Sequence, residues 1–531
     1  MTTDRPHQLD QVPAAELDLQ KAVFKLLDDP ATYGLAEVKR FDTHAAAVFL
    51  AGDRAFKVKR AVRFPFLDYS TLDKRKAACL AELDVNRRFA PQLYRRIVPV
   101  TRDASGALAL DGAGVAVEWA VEMIRFDETM TLDHLADRGE LDDKMLGELA
   151  VSVAGMHERA LPADATAWLA AVERYIGQNT AAFRDHPDLF PSQSVTALDR
   201  SARETLARLR PLLAARGDLG LIRRGHGDLH LRNIALLDGV PVAFDALEFD
   251  PVTASGDVLY DLAFLLMDLV ERGLDRAANL VLNGYFVAAQ RSADYDGIAA
   301  LPFFMSLRAA IRANVTAARL AVAKAEDRPK IAQSAQRYFD LALTLLAPVK
   351  PAVICTGGLS GTGKSVLARS LAPMLRPSPG ALVLRSDVER KIMFGVAEHE
   401  RLPAEAYRSD VSANVYRTLQ EKALRIARAG HSAVVDAVFA KPEERNAIEA
   451  AVAETGAGFS GLFLVADLKT RLERVGTRGP DASDANDKVA RLQEDFPLGI
   501  MSWAVVDASG SPEATLAEAC AALALGGNAR R

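Results

Sequence analysis

Up to about residue 125 the chain is dominated by short runs in which apolar and polar residues alternate, and helical spacing takes over beyond that point. The runs "AAVFL" and "AFKVKRAV" flank Ala51-Gly52-Asp53, a pattern that predicts a hairpin because Gly and Asp accept tight-turn backbone. Further strands are predicted at "YRRIVPV" and "GVAVEWAVEMI". After Arg125, "TLDHLADRGEL" and "DKMLGELAVSVAGMHERAL" carry apolar residues three and four positions apart, the period of an amphipathic helix. We therefore expect a sheet lobe over about 30–125 and a helical lobe over about 126–345.

In "LALTLLAPVKPAVICTGG" a helical pattern stops at Pro348 and Pro351 and a β-branched run begins at once, which puts a domain seam near residue 346. Beyond it, "AVICT", "ALVLRS", "SAVVDA", "SGLFLVA" and "SWAVVD" alternate with helical stretches, as in a parallel sheet covered by helices. The fold expected is thus two domains: α+β over 1–345, and α/β with a five-stranded parallel sheet over 346–531.

Composition adds limits. The 531 residues are half hydrophobic and a quarter charged, with a net charge of -5, which excludes a disordered chain and argues against a general nucleic-acid coat or a membrane-surface protein. A local basic run does exist, from Arg54 to Arg96, and a solvated face explains it better than a polynucleotide track. Cys79, Cys355 and Cys520 lack both pairing and metal-ligand spacing, so a reducing compartment is expected. The N-terminus shows no signal-peptide pattern, and "YDLAFLLMDLV" falls short of the roughly 20 residues that span a bilayer. A cytoplasmic enzyme without a membrane partner is the expectation.

Chemistry concentrates first in "HGDLHLRNIALLDGVPVAFD", residues 226–245. Asn233 follows Asp228 by five positions, and a tight hairpin then ends on Asp245. Phosphoryl transfer from ATP needs a carboxylate to orient the attacking hydroxyl and oxygen ligands to hold Mg²⁺ against the phosphates. Asp228 is the candidate base, with Asn233 and Asp245 the candidate metal ligands. Protein kinases carry an Asp and Asn at the same spacing; here Gly227 and Ala246 make the segment resemble the aminoglycoside phosphotransferase and choline kinase branch of the protein-kinase-like bilobal fold. That fold requires a strand Lys on the ATP phosphates. Lys57 and Lys59 lie two apart and share one face, and by its place in the resembling family Lys57 is preferred. Glu82 in "CLAELDVNRRF" is the helix partner, backbone groups around Met123 are expected to read adenine, and Asp261 resembles a residue that braces the catalytic loop. No Gly-rich loop precedes these residues; Thr43 and His44 in "DTHAAAVFL" are candidates to cover the phosphates.

A second nucleotide motif, G-x-x-x-x-G-K-S, runs from Gly358 to Ser365 between a strand and a helical stretch. In that setting Gly361, Thr362 and Gly363 offer backbone amides to phosphates, Lys364 neutralises them, and Ser365 reaches Mg²⁺. In "RSDVERK", Asp387 and Arg390 sit one turn apart at the sheet's C-terminal edge, as a base for a hydroxyl and a clamp for an anion. This arrangement resembles the polynucleotide kinase, zeta-toxin and gluconate kinase group, in which Asp436 would be the acid that helps to position the metal. "TRLERVGTRGPDASDAND" reads as a lid, with Arg474 and Arg478 better candidates than Arg471 to reach the transferring phosphate.

Taken with "FKVKRAVRFPFLDYSTLDKRKAACLAELDVNRR" and "FDALEFD", these motifs make nearly the whole chain similar to a bacterial two-domain family labelled bifunctional aminoglycoside phosphotransferase/ATP-binding protein. The resemblance implies two ATP sites. It does not imply drug resistance: Leu231-Arg232 replaces the Pro-Gly often found there, and no acidic run suits a polycationic drug. We expect an ATP- and Mg²⁺-dependent kinase acting on a hydroxyl of a small metabolite. Two alternatives stand beside it: a P-loop domain that only senses nucleotide, and an RNA or polynucleotide end kinase.

Overall fold

The strands β1 (Lys39–Asp42), β2 (Ala46–Ala51), β3 (Arg54–Lys59), β4 (Tyr94–Arg102), β5 (Leu108–Leu110) and β6 (Val115–Ile124) form one antiparallel sheet in the order β1-β2-β3-β6-β4-β5. The computed structural model describes residues 12–525 apart from 65, 66, 249, 251, 322, 399 and 478–481. Side chains alternate across β3: Phe56 and Val58 face a core shared with Val23, Phe24 and Leu27 of helix α1 (Ala14–Asp28), which leaves Lys57 and Lys59 for the other face. Helix α2 (Leu72–Phe89) covers that second face, with Cys79 packed beside Tyr94 and Val121. The predicted hairpin is present, with Gly52 at φ 61 in its turn.

Between β1 and β2 the chain reverses in the short turn at Thr43. The Thr43 amide donates to Ala46 O at 2.8 Å, and the Ala46 amide donates to Thr43 Oγ1 at 2.9 Å. A side-chain-closed turn thus stands where a glycine loop would otherwise lie.

Later in the chain, β7 (Ile234–Leu237) and β8 (Val240–Ala243) make the tight hairpin expected from "LLDGVPVAFD". Asp238 at φ 50 and Gly239 at φ 81 give the doubly left-handed turn that matches strand twist. Its register pairs Ile234 with Ala243, so the Asn233 carbonyl accepts the Phe244 amide at 2.9 Å and Asp245 follows directly.

A helix ends at Leu345 and a second sheet begins with β9 (Ala352–Gly358), followed by β10 (Leu382–Arg385), β11 (Ala433–Asp436), β12 (Gly458–Val465) and β13 (Ala504–Asp507). All five strands are parallel, in the order β10-β11-β9-β12-β13. The fold class is therefore α+β followed by α/β. Ile354, Val434, Leu462, Leu464 and Val506 of this sheet pack on Leu367 and Leu371 of the helix after the P-loop.

The chain forms two compact units: one takes the chain up to Val172 with Gly217–Leu265, the other Glu173–Arg216 with Leu266–Arg531. Inside the second unit, helix α3 (Asp275–Ala289) caps the edge strand β10. Asn283 Oδ1 accepts the Val383 amide at 2.7 Å, while the Asn279 and Asn283 amides donate to Ala381 O at 3.0 and 3.2 Å. These bonds close part of an edge that would otherwise present open backbone groups. Among the described residues one helical stretch, Asp294–Ala321, is long and apolar enough to cross a membrane, and 67% of its apolar window is buried within the fold, as in a core helix.

Candidate active sites

In the first unit, Glu82 projects from α2 between the two lysines of β3. Its Oε1 lies 2.8 Å from Lys57 Nζ and its Oε2 lies 2.6 Å from Lys59 Nζ. Lys57 also reaches Asp245 Oδ1 at 2.5 Å, whereas Lys59 pairs with Glu248. Burial works against the Lys57 ammonium, but Asp245 and Glu82 outweigh it and hold its pKa well above the ordinary value. Burial likewise works against charge on Glu82, and the two lysines reverse that and lower its pKa. The site is accordingly a charged one, satisfied by pairing.

The two lysines differ in access. The Lys57 side chain is 14% exposed and its partner Asp245 43%, while Lys59 is 3% exposed with Glu248 beneath it. Asp245 is a non-glycine residue at φ 61, held there by neighbours. Its amide donates to Tyr94 Oη at 3.0 Å, and the next residue exchanges two bonds with Asn86 of α2: Ala246 N to Oδ1 at 2.8 Å, and Nδ2 to Ala246 O at 3.3 Å. Asn86 lies one helical turn beyond Glu82 and so shares its helix face, a relation that the four-residue spacing carries.

Asp228 and Asn233 are brought into contact. Asn233 Nδ2 donates to Asp228 O and to Asp228 Oδ2, both at 3.0 Å, and His230 Nε2 lies 3.4 Å from Asp228 Oδ2. Behind them, Asp261 accepts the His226 amide at 2.8 Å and the Gly227 amide at 2.9 Å, with His157 Nε2 at 3.2 Å from the same carboxylate. Burial lowers the His226 pKa, and its Nε2 meets Phe244 O at 2.8 Å, so a neutral imidazole ties the loop to the strip that carries Asp245. Met123 sits inside the ladder, opposite Ala55 and Tyr94, and the Ile124 and Arg125 amides bond to Leu93 O and Asp53 O. Arg232 is 70% exposed and faces Asp133 at 3.4 Å.

In the second unit the P-loop wraps through Gly358 at φ 138, Gly361 at φ 86 and Gly363 at φ 92. A Cβ on Gly361 would stand 2.5 Å from the Arg471 carbonyl, and one on Gly358 2.7 Å from the Leu464 carbonyl, so both positions require glycine. Thr362 Oγ1 closes the turn on Leu359 O at 2.8 Å, and Lys364 Nζ touches the same carbonyl at 3.1 Å. Ser365 Oγ donates to Asp436 Oδ2 at 2.5 Å, and Arg385 Nε approaches that oxygen at 3.5 Å.

These residues open on a cleft of about 1500 Å³, lined by Lys364, Ser365, Asp387, Arg390, Arg401 and Asp436 among others. Burial, and then Asp436, raise the Asp387 pKa against the opposing influence of Ser483, Lys364 and Arg385. Arg390 is buried; one nitrogen donates to Ala406 O at 2.5 Å and to Ser412 Oγ at 3.3 Å, the guanidinium stacks on Tyr407, and its Nε is buried without a partner. Of the lid arginines, Arg474 is placed differently from expectation. Arg474 turns to the Ala508 and Gly510 carbonyls at 2.7 Å each and does not line the cleft, because a fixed loop offers it two acceptors. Arg471 is buried under the P-loop, donating to Ser360 O at 2.9 Å and Ala490 O at 3.0 Å. Arg478 lies outside the described residues.

Asp484, from the "DASDA" stretch, accepts the Leu402 amide at 3.0 Å and Tyr407 Oη at 2.7 Å, and so holds the wall beside Arg390. The "DASDA" stretch is among the motifs that carry the family resemblance, but the role of Asp484 could not be read from spacing, since its partners come from a separate loop.

Both oxygen sets fit Mg²⁺, which takes one or two carboxylates together with phosphate oxygens. In the first unit the candidate donors are Asn233 and Asp245; in the second they would be the Ser365 hydroxyl and, beside it, Asp436.

Residues 42–301 match the family described as "Phosphotransferase enzyme family", and residues 353–496 match "AAA domain". Uncharacterized proteins of Mycobacterium tuberculosis and Mycobacterium bovis are 31% identical over 491 residues, which cover 90% of this chain and 94% of theirs. The chain belongs to the family of these mycobacterial proteins, with a phosphotransferase domain followed by a P-loop domain. It is an ATP-dependent kinase by class. Solved structures similar to it include a choline/ethanolamine kinase family protein from Mesorhizobium loti, with 12% identity over 62% of this chain and 98% of that one and a TM-score of 0.35. An aminoglycoside phosphotransferase from Alicyclobacillus acidocaldarius gives 16% identity over 60% and 92% with a TM-score of 0.35, and an APS kinase from Mycobacterium tuberculosis 22% over 33% and 99% with 0.26.

Proposed function

We propose that the protein phosphorylates a hydroxyl of a small metabolite at the first site, in a domain spanning 1–345, and carries a second kinase site in the P-loop domain, 346–531, both at work in the cytoplasm. The observation that carries this reading is the convergence of Lys57, Glu82 and Asp245 on one face of the sheet lobe, with Asp228 bonded to Asn233 on the strip that leads into Asp245. In this reading Lys57 leaves Asp245 for the ATP phosphates. Asp228 accepts a hydrogen bond from the acceptor hydroxyl and orients its oxygen on the γ-phosphorus. As the new O–P bond forms and the bond to the β-phosphate oxygen breaks, the hydroxyl proton passes to Asp228 and ADP departs. Asn233 and Asp245 would hold Mg²⁺, which neutralises charge on the phosphates. Glu82 keeps Lys57 extended, and Asp261 fixes the loop that bears Asp228.

In the P-loop domain, Asp387 would be the base and Arg390 the clamp for an anionic group of the acceptor, supported by the place of both residues in the lining of the cleft and the raised pKa of Asp387. A small acceptor is favoured over RNA because the basic run is largely neutralised. Arg60 pairs with Asp42, Lys74 with Asp68, Arg75 with Glu118, Arg88 with Asp84 and Arg96 with Glu122.

The test is transfer of label from γ-labelled ATP into a fractionated metabolite pool by the parent protein, Asp228→Asn and Lys364→Ala. A labelled small molecule that disappears with Asp228→Asn, by about 10²–10⁴-fold as for loss of a positioned base, is the expected result. Unaltered labelling in Asp228→Asn would remove Asp228 from the chemistry, and label in RNA alone would replace the acceptor class.

A further inference from the structure

We infer that Glu248 is a positioning residue for the metal ligand Asp245: through Lys59 it holds the strip 245–248 against β3 while Lys57 is engaged elsewhere. The inference rests on the function proposed above.

The geometry is a ladder of two ion pairs. Lys57 and Lys59, two apart on β3, meet Asp245 and Glu248, three apart on the facing strip. Glu82 joins the two uprights by giving one carboxylate oxygen to each lysine. The two rungs are not equivalent. Asp245 is 43% exposed and its lysine is the accessible one, whereas the Glu248 and Lys59 side chains are 7% and 3% exposed. Glu248 is further fixed by Tyr69, whose hydroxyl donates to its Oε1 at 2.8 Å.

Lys59, closed in by Glu82 and Glu248, is thereby withheld from phosphate. Lys57 is the ammonium that nucleotide can draw away, and in doing so nucleotide opens the outer rung. Asp245 must then keep a left-handed backbone, φ 61, that is unfavourable for a residue with a side chain and persists only where its surroundings fix it. The inner rung is the side-chain contact to β3 that survives, acting together with Asn86 on Ala246 and Tyr94 on the Asp245 amide. A buried pair made of one strand residue and one strip residue suits this task, because breaking it leaves an uncompensated charge and it therefore stays closed.

The experiment uses full-length Lys364→Ala protein, so that the first site dominates binding, and a fluorescent ATP analogue titrated at increasing Mg²⁺ and again in EDTA. Glu248→Gln is expected to raise the Mg²⁺ concentration for half-maximal binding about tenfold, the size of effect found for groups that orient metal ligands, with nucleotide affinity in EDTA unchanged. Tyr69→Phe removes one hydroxyl without emptying the site, and it is expected to move the same midpoint about threefold, as for one lost hydrogen bond. Should Glu248→Gln fail to fold, Tyr69→Phe decides. A lowered melting temperature with an unmoved Mg²⁺ midpoint in the folded variants would overturn the inference and leave Glu248 a purely structural residue. Absence of Mg²⁺-stimulated binding in the Lys364→Ala parent itself would overturn the proposed first site, and this inference with it.

Discussion

The Lys57 ammonium lies 2.5 Å from Asp245 Oδ1, a contact that joins the third strand to a residue 188 positions later in the chain. Lys59, two residues on, makes no such accessible contact; its partners Glu82 and Glu248 are both buried. Replacing the two lysines therefore separates function from stability. Lys59→Met strands the buried Glu248 carboxylate and leaves Glu82 with Lys57 alone, and it is expected to cost about 3–5 kcal/mol in urea denaturation. Lys57→Met leaves Glu82 paired with Lys59 and Asp245 open to water, so it should lose less stability. Its nucleotide affinity should fall about ten- to a hundredfold, as for a lost charge-assisted bond. The reverse order in the two assays would make Lys59 the phosphate ligand.

How much of this was legible follows from where each partner lies in the chain. The hairpin at Gly52, the five strands of the second sheet and the P-loop all rest on local period or on fixed spacing, and they could be read; spacing puts Lys57 and Lys59 on one face, and the choice of Lys57 with Glu82 comes from the family resemblance. Glu248 stood in plain view three residues after Asp245, but its role depends on Lys59, which is 189 positions away. Arg474 misled for the opposite reason. A charged residue in a Gly- and Pro-rich stretch reads as mobile, yet two carbonyls of the 508–510 loop hold it. Neither distance nor acceptor is visible in composition.

Asp387 links geometry to pH. Burial, and then the Asp436 carboxylate, raise its pKa, so the folded protein keeps this proton over a range where the unfolded chain has released it. Stability from this group is highest at acid pH and declines as pH rises from the unfolded value toward the folded one. Asp387→Asn should accordingly stabilise the second unit at neutral pH and lose that advantage near pH 4, the range in which a free Asp titrates. Thermal melts across this range check it; a variant less stable than its parent at pH 7 would mean that the carboxylate is held by net attraction.

His431 predicts the opposite slope from the same principle. Its buried ring meets the Gly380 carbonyl at 2.9 Å through Nε2, its Nδ1 has no partner, and burial lowers its pKa from 6.5 to about 4. The unfolded chain takes up this proton first as pH falls. The stability contributed is complete above the unfolded pKa and is lost progressively down to the folded one, by on the order of 3 kcal/mol in all. His431→Gln, which retains an amide donor for the carbonyl, should flatten urea-unfolding stability between pH 7 and 4. An unchanged slope would place the sensitivity in other groups.

The cap on the edge of the second sheet offers a test of why helix and sheet travel in one unit. Asn283 accepts the Val383 amide at 2.7 Å and donates to Ala381 O at 3.2 Å, while Asn279 donates only to that carbonyl, which Asn283 can still serve. Asn283→Ala leaves a strand amide without its acceptor and should cost about 1–3 kcal/mol, against about 0.5–1.5 kcal/mol for Asn279→Ala. Asn283→Asp keeps an acceptor for Val383 but brings a carboxylate toward the Ala381 carbonyl, so it should fall between Asn279→Ala and Asn283→Ala. Amide hydrogen exchange at Val383 reports the bond directly: it should quicken in Asn283→Ala and hold in Asn279→Ala. Equal protection in both variants would show that the strand edge is closed by packing rather than by the asparagine side chains.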